Sequence, residues 1–156
     1  MTTTTEANAY LRTQVLTASP EQLRLMLLDG SIRFLQQSID GLNDKDYEAS
    51  YNGITQARAI VLELATSVSA EVDHELAERV RSVYMYLYRE LIDASVNRDL
   101  PRLEKACDLL RYERETWALL MEKVGTERAA NAADATMSGA GEAAQTPETS
   151  GFSAQG

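Results

Sequence analysis

At 156 residues the chain is long enough for one domain with a sizeable core. Few aromatics, and few Gly or Pro before residue 125, favour helix over sheet. A formal net charge of −9 argues against duplex nucleic acid or an anionic membrane as partner, because affinity for either comes from Lys and Arg neutralising phosphates.

Residues 1–9 are polar and are expected to be disordered. Residues 10–18 are more apolar, with Tyr10, Leu11, Val15 and Leu16 at near-helical spacing. They suit a turn or two of helix or an extended strand, and residues 1–18 together read as a mobile N-terminal segment. The organising stretch comes next. Ser19 can cap a helix, Pro20 fits its first position, and Gln22 can bond back to complete a capping box. The first predicted helix, 20–43, carries a seam of Leu28, Ile32, Leu35, Ile39 and Leu42. A second stripe, Leu23, Leu27 and Phe34, lies beside it, so this helix buries two faces and should be central.

Asn43 to Asp46 breaks that helix, with Asp46 as cap for the next. The second helix, 47–67, has the seam Tyr47, Tyr51, Ile54, Ala57, Val61, Leu64 and Val68. Gly53 inside it costs about 1 kcal/mol against Ala, which points to close packing by a neighbour. Ser67 to Asp73 reads as a loop. The third helix, 74–97, has Leu76, Val80, Val83, Leu87, Leu91 and Ala94 on its core face, with Tyr84 and Tyr88 beside it. Asp99 caps the fourth helix, 100–124, and Pro101 lies in its first turn. Its seam is Leu103, Ala106, Leu110, Glu113, Trp117, Leu120 and Val124, with Gly125 as a plausible stop. Beyond it the chain turns to Ala, Gly, Ser and Thr, a composition too poor in apolar surface to offset its ordering entropy, with Ala129 to Ala135 as a weak extension of the fourth helix. The expected architecture is all-α: an antiparallel up-down four-helix bundle over 19–125, led by the mobile segment and followed by a disordered tail, 126–156.

Catalytic and metal chemistry find little support. His74 is the only histidine, and Glu71 lies three before it. A di-iron bundle needs two Glu-x-x-His motifs and two further inward carboxylates, so no metal or other cofactor is expected. A histidine-phosphotransfer bundle using His74 is the alternative function, but Asp73 and Glu75 flank that ring and would repel a phosphoryl donor. No Ser/His/Asp set, Gly-rich phosphate loop or Cys/His metal spacing is present, so no enzyme is expected. The single cysteine, Cys107, cannot form an internal disulfide and reads as a small core residue. Glu113 on a seam is either a buried acid with a raised pKa or, more in keeping with such a position, a residue at the bundle edge that snorkels or pairs with Arg89, Arg111 or Arg114. The polar start, Met1 to Thr5, lacks a signal-peptide order, and no apolar run is long enough to span a bilayer, which makes the cytoplasm the default compartment.

Binding is the better supported class. Leu23, Leu25, Met26, Leu27 and Leu28 crowd one stretch, more than a single seam hides. Tyr51, Tyr84, Tyr86, Tyr88 and Tyr112 add rings of the kind enriched at interfaces.

The string Tyr10-x4-Val15-x2-Ala18-Ser19-Pro20-Glu21-x-Leu23-x2-Met26-Leu27-Leu28-Asp29-Gly30 resembles the signature of FliS, the bacterial flagellar export chaperone. That family commonly reads Tyr, Val, Ala-Ser-Pro-Glu-x-Leu and Met-Leu-Tyr-Asp/Glu-Gly; here Leu28 stands in place of the second Tyr. Leu87 and Leu91 match its leucine-rich third helix, Thr116-Trp117 matches its fourth, and the likeness covers about residues 8–122. The resemblance implies a helical bundle that binds the disordered C-terminal segment of flagellin, prevents early polymerisation and delivers it to the flagellar type III export gate. It also implies that the N-terminal segment lies on the bundle and shifts when flagellin binds. Motif and apolar excess together nominate Tyr10, Leu11, Val15, Leu16, Leu23, Met26, Leu27, Gly30 and Tyr51 as partner-binding residues.

Overall fold

The computed structural model describes residues 2–68 and 73–142. These form five helices, with no strand among the described residues: α1 Thr2–Thr17, α2 Pro20–Asn43, α3 Tyr47–Thr66, α4 His74–Asn97 and α5 Leu100–Glu142. The chain divides within α5 into two units, Met1–Ala118 and Leu119–Gly156.

The predicted caps are in place. Ser19 is extended and its Oγ accepts from the Gln22 N–H, while Gln22 Oε1 accepts from the Ser19 N–H at 3.0 Å. Asp46 accepts from the Ala49 N–H at 3.1 Å, and Asp99 from the Arg102 N–H at 3.2 Å. Asp73 caps α4 through the Glu75 N–H. α4 ends where Arg98 turns left-handed, at φ 48°. Most of the loop expected over 67–73 lies outside the described residues.

One core draws on four helices of the first unit. Leu28, Leu35 and Ile39 of α2 meet Ile54, Ala57, Val61 and Leu64 of α3, Tyr84, Leu87 and Leu91 of α4, and Leu103, Ala106 and Leu110 of α5. Each wholly buried leucine contributes about 1.5–3 kcal/mol of transfer free energy. Cys107 is buried with them, as its place on the fourth predicted helix suggests. The backbones of α2 and α3 approach closely because two glycines permit it: a methyl at Gly53 would lie 2.5 Å from Phe34 O, and one at Gly41 2.6 Å from Ser50 N. Between them Ser38 and Ser50 share a buried hydroxyl–hydroxyl hydrogen bond of 3.0 Å. At the other end of α2, Arg24 reaches Ser67 Oγ at the α3 C-cap, 3.4 Å away. α5 joins α2 through long side chains, with Arg111 Nη2 2.8 Å from Gln36 Oε1 and Arg114 Nε 2.9 Å from Asp29 Oδ1.

Several expectations are corrected. The leading segment, expected to be disordered over 1–9 and at most a turn or two beyond, is helical over residues 2–17. It contains no Gly or Pro, and Thr13 and Thr17 return their hydroxyls to carbonyls one turn back at 3.0 and 2.9 Å. Pro20 then ends it by forcing Ser19 into extended backbone. Tyr47, Tyr51 and Leu76, assigned to seams, are exposed, whereas Tyr84, assigned beside one, is wholly buried. Ala77 is buried one heptad before Tyr84, and the core line of α4 runs Ala77, Tyr84, Leu87, Leu91, Ala94.

In the second unit, Gly125 does not stop the helix. Its φ is not positive, so it supplies no left-handed cap, and the alanine-rich stretch that follows sustains α5 to Glu142. The expectation of disorder therefore fails for 126–142, while 143–156 lies outside the described residues. Leu119, Leu120 and Met137 are exposed there, so Leu120 is no seam residue.

Candidate partner-binding surface

The apolar excess around the Ser19 cap divides into two zones. On α1, Tyr10 is 70% and Leu16 76% exposed, and Leu11 and Val15 are both 45% exposed. None is sheltered, although α1 is only weakly amphipathic and has no buried face of its own. On α2, Leu28 is buried and Leu23, Leu25, Met26 and Leu27 are half-buried, so the core takes one member of the run and leaves four at its margin. Gly30 is buried, and a methyl there would make ordinary contacts with Ile60 Cδ1 at 3.5 Å and Arg33 Nη2 at 4.0 Å. A depression of about 340 Å³ lies between the two helices, lined by Gln14, Thr17 and Ala18 on one side and Gln22, Leu25, Met26 and Asp29 on the other, and of the nominated residues only Met26 borders it.

Tyr51 does not belong to this group. It is 61% exposed and borders a second depression of about 230 Å³ with Tyr47, Leu42, Val96 and Arg98, sharing no residue with the first. There the Arg98 guanidinium lies over the Tyr47 ring at 3.9 Å. The Ser38–Ser50 bond places Tyr51 toward the C-terminal half of α2, whereas Leu23, Met26 and Leu27 sit at its N-terminal end.

Sequence reasoning missed a polar cluster close to the first group. Arg24 lies over the Trp117 ring at 4.8 Å, and both act on the hydroxyl of Tyr84, which is fully enclosed. Burial pushes the Glu113 carboxyl above the usual carboxylate range, against the opposing pull of Arg24 and the Tyr84 hydroxyl. Burial, and then the Glu113 charge, raises the Tyr84 phenol. Glu113 is half-buried with its pKa raised, and the cation that acts on it is Arg24, without forming an ion pair. Arg111 and Arg114, proposed as partners, engage Gln36 and Asp29 instead. The available signal was Arg24 itself, the one charge inside the run Leu23 to Leu28.

His74 is the exposed first residue of α4, and Glu71 lies outside the described residues. Among the described residues no group of three His, Cys, Asp or Glu is placed to hold a metal ion. None of the described helices is long and apolar enough to cross a membrane.

Comparison with known proteins agrees with the motif. The family model described as "Flagellar protein FliS" matches residues 3–124. The flagellar secretion chaperone FliS of Bacillus subtilis is 26% identical over 120 residues, covering 77% of this chain and 89% of that protein. The proteins of the same name from Escherichia coli and Salmonella typhimurium are 27% and 28% identical, covering 71% and 75% of this chain and 82% and 87% of theirs. The matched span takes in the cap, the half-buried leucines of α2 and the core line of α4, and on this evidence the chain belongs to the FliS family of flagellar proteins.

Proposed function

We propose that this protein is a non-enzymatic cytoplasmic chaperone that holds the disordered C-terminal segment of flagellin until it reaches the flagellar type III export gate. The observation that carries this reading is the unsheltered apolar surface on both sides of Ser19, in a chain of the FliS family. Exposed apolar side chains gathered on one stretch of a chain favour a docking partner. In this reading α2 to α5 form an antiparallel four-helix bundle. A guest that folds as it docks lays amphipathic turns along α2, matching i, i+3, i+4 and i+7 anchors to Leu23, Met26 and Leu27. α1, with Tyr10, Leu11, Val15 and Leu16, is the removable cover or the first contact. Such a guest loses about 2–5 kcal/mol to ordering, so it needs a long apolar track rather than one pocket.

Capture of a synthetic flagellin C-terminal segment by the purified chain tests the proposal. Saturable binding weakened by Leu23→Asp or Met26→Asp supports it, and absence of binding removes it. The alternative signalling role for His74 lacks an observation in its favour: the ring opens α4 between Asp73 and Glu75, rather than lying mid-helix. Replacement of His74 by Gln leaves the chaperone activity intact in this account.

A further inference from the structure

Two hydrogen-bonding atoms at the α2 end of the first unit are unaccounted for by the fold. Arg24 Nη1 and Tyr84 Oη are both buried, and neither has a partner of hydrogen-bond geometry among the described residues, although the Tyr84 hydroxyl lies near enough to Glu113 to act on its carboxyl. Tyr84 is wholly enclosed, and Glu113, Arg24 and Trp117 face its hydroxyl. A buried donor without a partner destabilises the fold, so retaining two side by side calls for a reason. The covering is light. Arg24 and Trp117, which meet face to ring, are only half-buried. The site also lies beside Leu23 and Leu25, on the α2 stretch assigned above to the guest.

The chemistry of the three groups is specific. Arg24 is a permanent cation that donates, the Tyr84 hydroxyl donates, and Glu113 accepts when ionised. A guest ammonium would meet Arg24, and a guest carboxylate would meet Glu113. A primary carboxamide answers all three: its carbonyl accepts from Arg24 Nη1 and Tyr84 Oη, and its N–H₂ donates to Glu113. A hydroxyl carries the same polarity on one atom. A carboxamide spreads it over two and, on the stem of Gln or Asn, reaches the enclosed Tyr84 hydroxyl on which Arg24 and Trp117 act.

We infer that Arg24, Tyr84 and Glu113 form a polar anchor for one Asn or Gln side chain of the guest segment, entered by parting Arg24 from Trp117. It sets the register of a guest whose apolar contacts alone permit sliding. This inference rests on the flagellin-binding reading and adds the one position that the reading lacks.

The test titrates the full-length chain with a synthetic C-terminal segment of flagellin from the same organism. Each Asn or Gln of the peptide is replaced in turn by Asp or Glu. One such exchange is expected to weaken binding to the native chain about tenfold or more, with most of the loss recovered against Glu113→Gln. Tyr84→Phe is expected to keep or raise Tm, because it deletes an unpartnered hydroxyl, while weakening the unmodified peptide about tenfold. A purely structural Tyr84 would not separate those two readouts. If every exchange is tolerated alike by the native chain and by Glu113→Gln, or if Tyr84→Phe binds as the native chain does, the anchor is refuted while the binding reading stands. If the native chain does not bind the unmodified peptide, both fall.

Discussion

Gly53→Ala tests how closely α2 and α3 approach. A methyl at Gly53 would lie 2.5 Å from Phe34 O, 2.9 Å from Ser38 N and 3.3 Å from Ser38 Cα. All three are backbone atoms of α2, so no rotamer change relieves the overlap and the helices must separate. Overpacking of this kind costs about 1–3 kcal/mol, and rigid backbone on the far side places it toward the upper end. Alanine's better helix propensity returns about 1 kcal/mol. The net expectation is a loss of about 1–2 kcal/mol, read as a lower urea midpoint with unchanged slope by far-ultraviolet circular dichroism. For a chain of this size Tm should fall by roughly 2–8 °C. Gly30→Ala is the internal control. Its methyl meets Ile60 Cδ1 at an ordinary 3.5 Å, so the same propensity gain appears without overlap and the midpoint rises. If Gly53→Ala were as stable as Gly30→Ala, the close α2–α3 contact would be wrong.

Three further outcomes are expected. Burial holds the Glu113 carboxyl above its ordinary value of 4.5, so the folded chain keeps this proton where the unfolded chain has released it. The contribution of this group to stability therefore falls as pH rises from 4.5 through the raised folded value. Glu113→Gln should unfold at a higher urea concentration than the native chain at neutral pH, with the gap closing in acid; a gap of opposite sign would mean that Arg24 outweighs burial. Removing residues 1–18 should tighten the flagellin segment if α1 is a cover, and equal or lost affinity would make it a spacer or part of the site. Removing 126–156 should leave Tm and affinity nearly unchanged, since the side chains described there are exposed; a large drop in either would reveal a packed element.

Local chemistry was the most legible part of the chain. Ser19 and Gln22 announce a capping box because the three-residue spacing is itself the mechanism, and Asp46 and Asp99 announce caps for the same reason. Gly53 signalled close packing because a glycine inside a helix must be compensated somewhere. The partner of Glu113 was not legible, since which arginine faces it depends on how four helices are arranged around one core. Tyr84 was placed one step around from the core because the seam was started from Leu76; small Ala77, one heptad before Tyr84, lies on the line that is buried. Gly125 read as a stop, but a glycine ends a helix by turning left-handed, and composition does not report that angle. For α1, the polar start over residues 1–9 suggested disorder, yet it is helical, and further along Thr13 and Thr17 bond back to the helix while its apolar residues face solvent. In the candidate site, of the nominated residues only Met26 borders the depression between α1 and α2, and Tyr51 borders another, because a motif records sequence order and not the end of the bundle.

Calorimetric titration of the full chain with the flagellin C-terminal segment, repeated at several temperatures, tests the central claim most directly. The account predicts saturable binding with a negative heat-capacity change, as the half-buried leucines of α2 leave water and the peptide gains helix. Absence of saturable heat, or binding whose enthalpy does not vary with temperature, would contradict it.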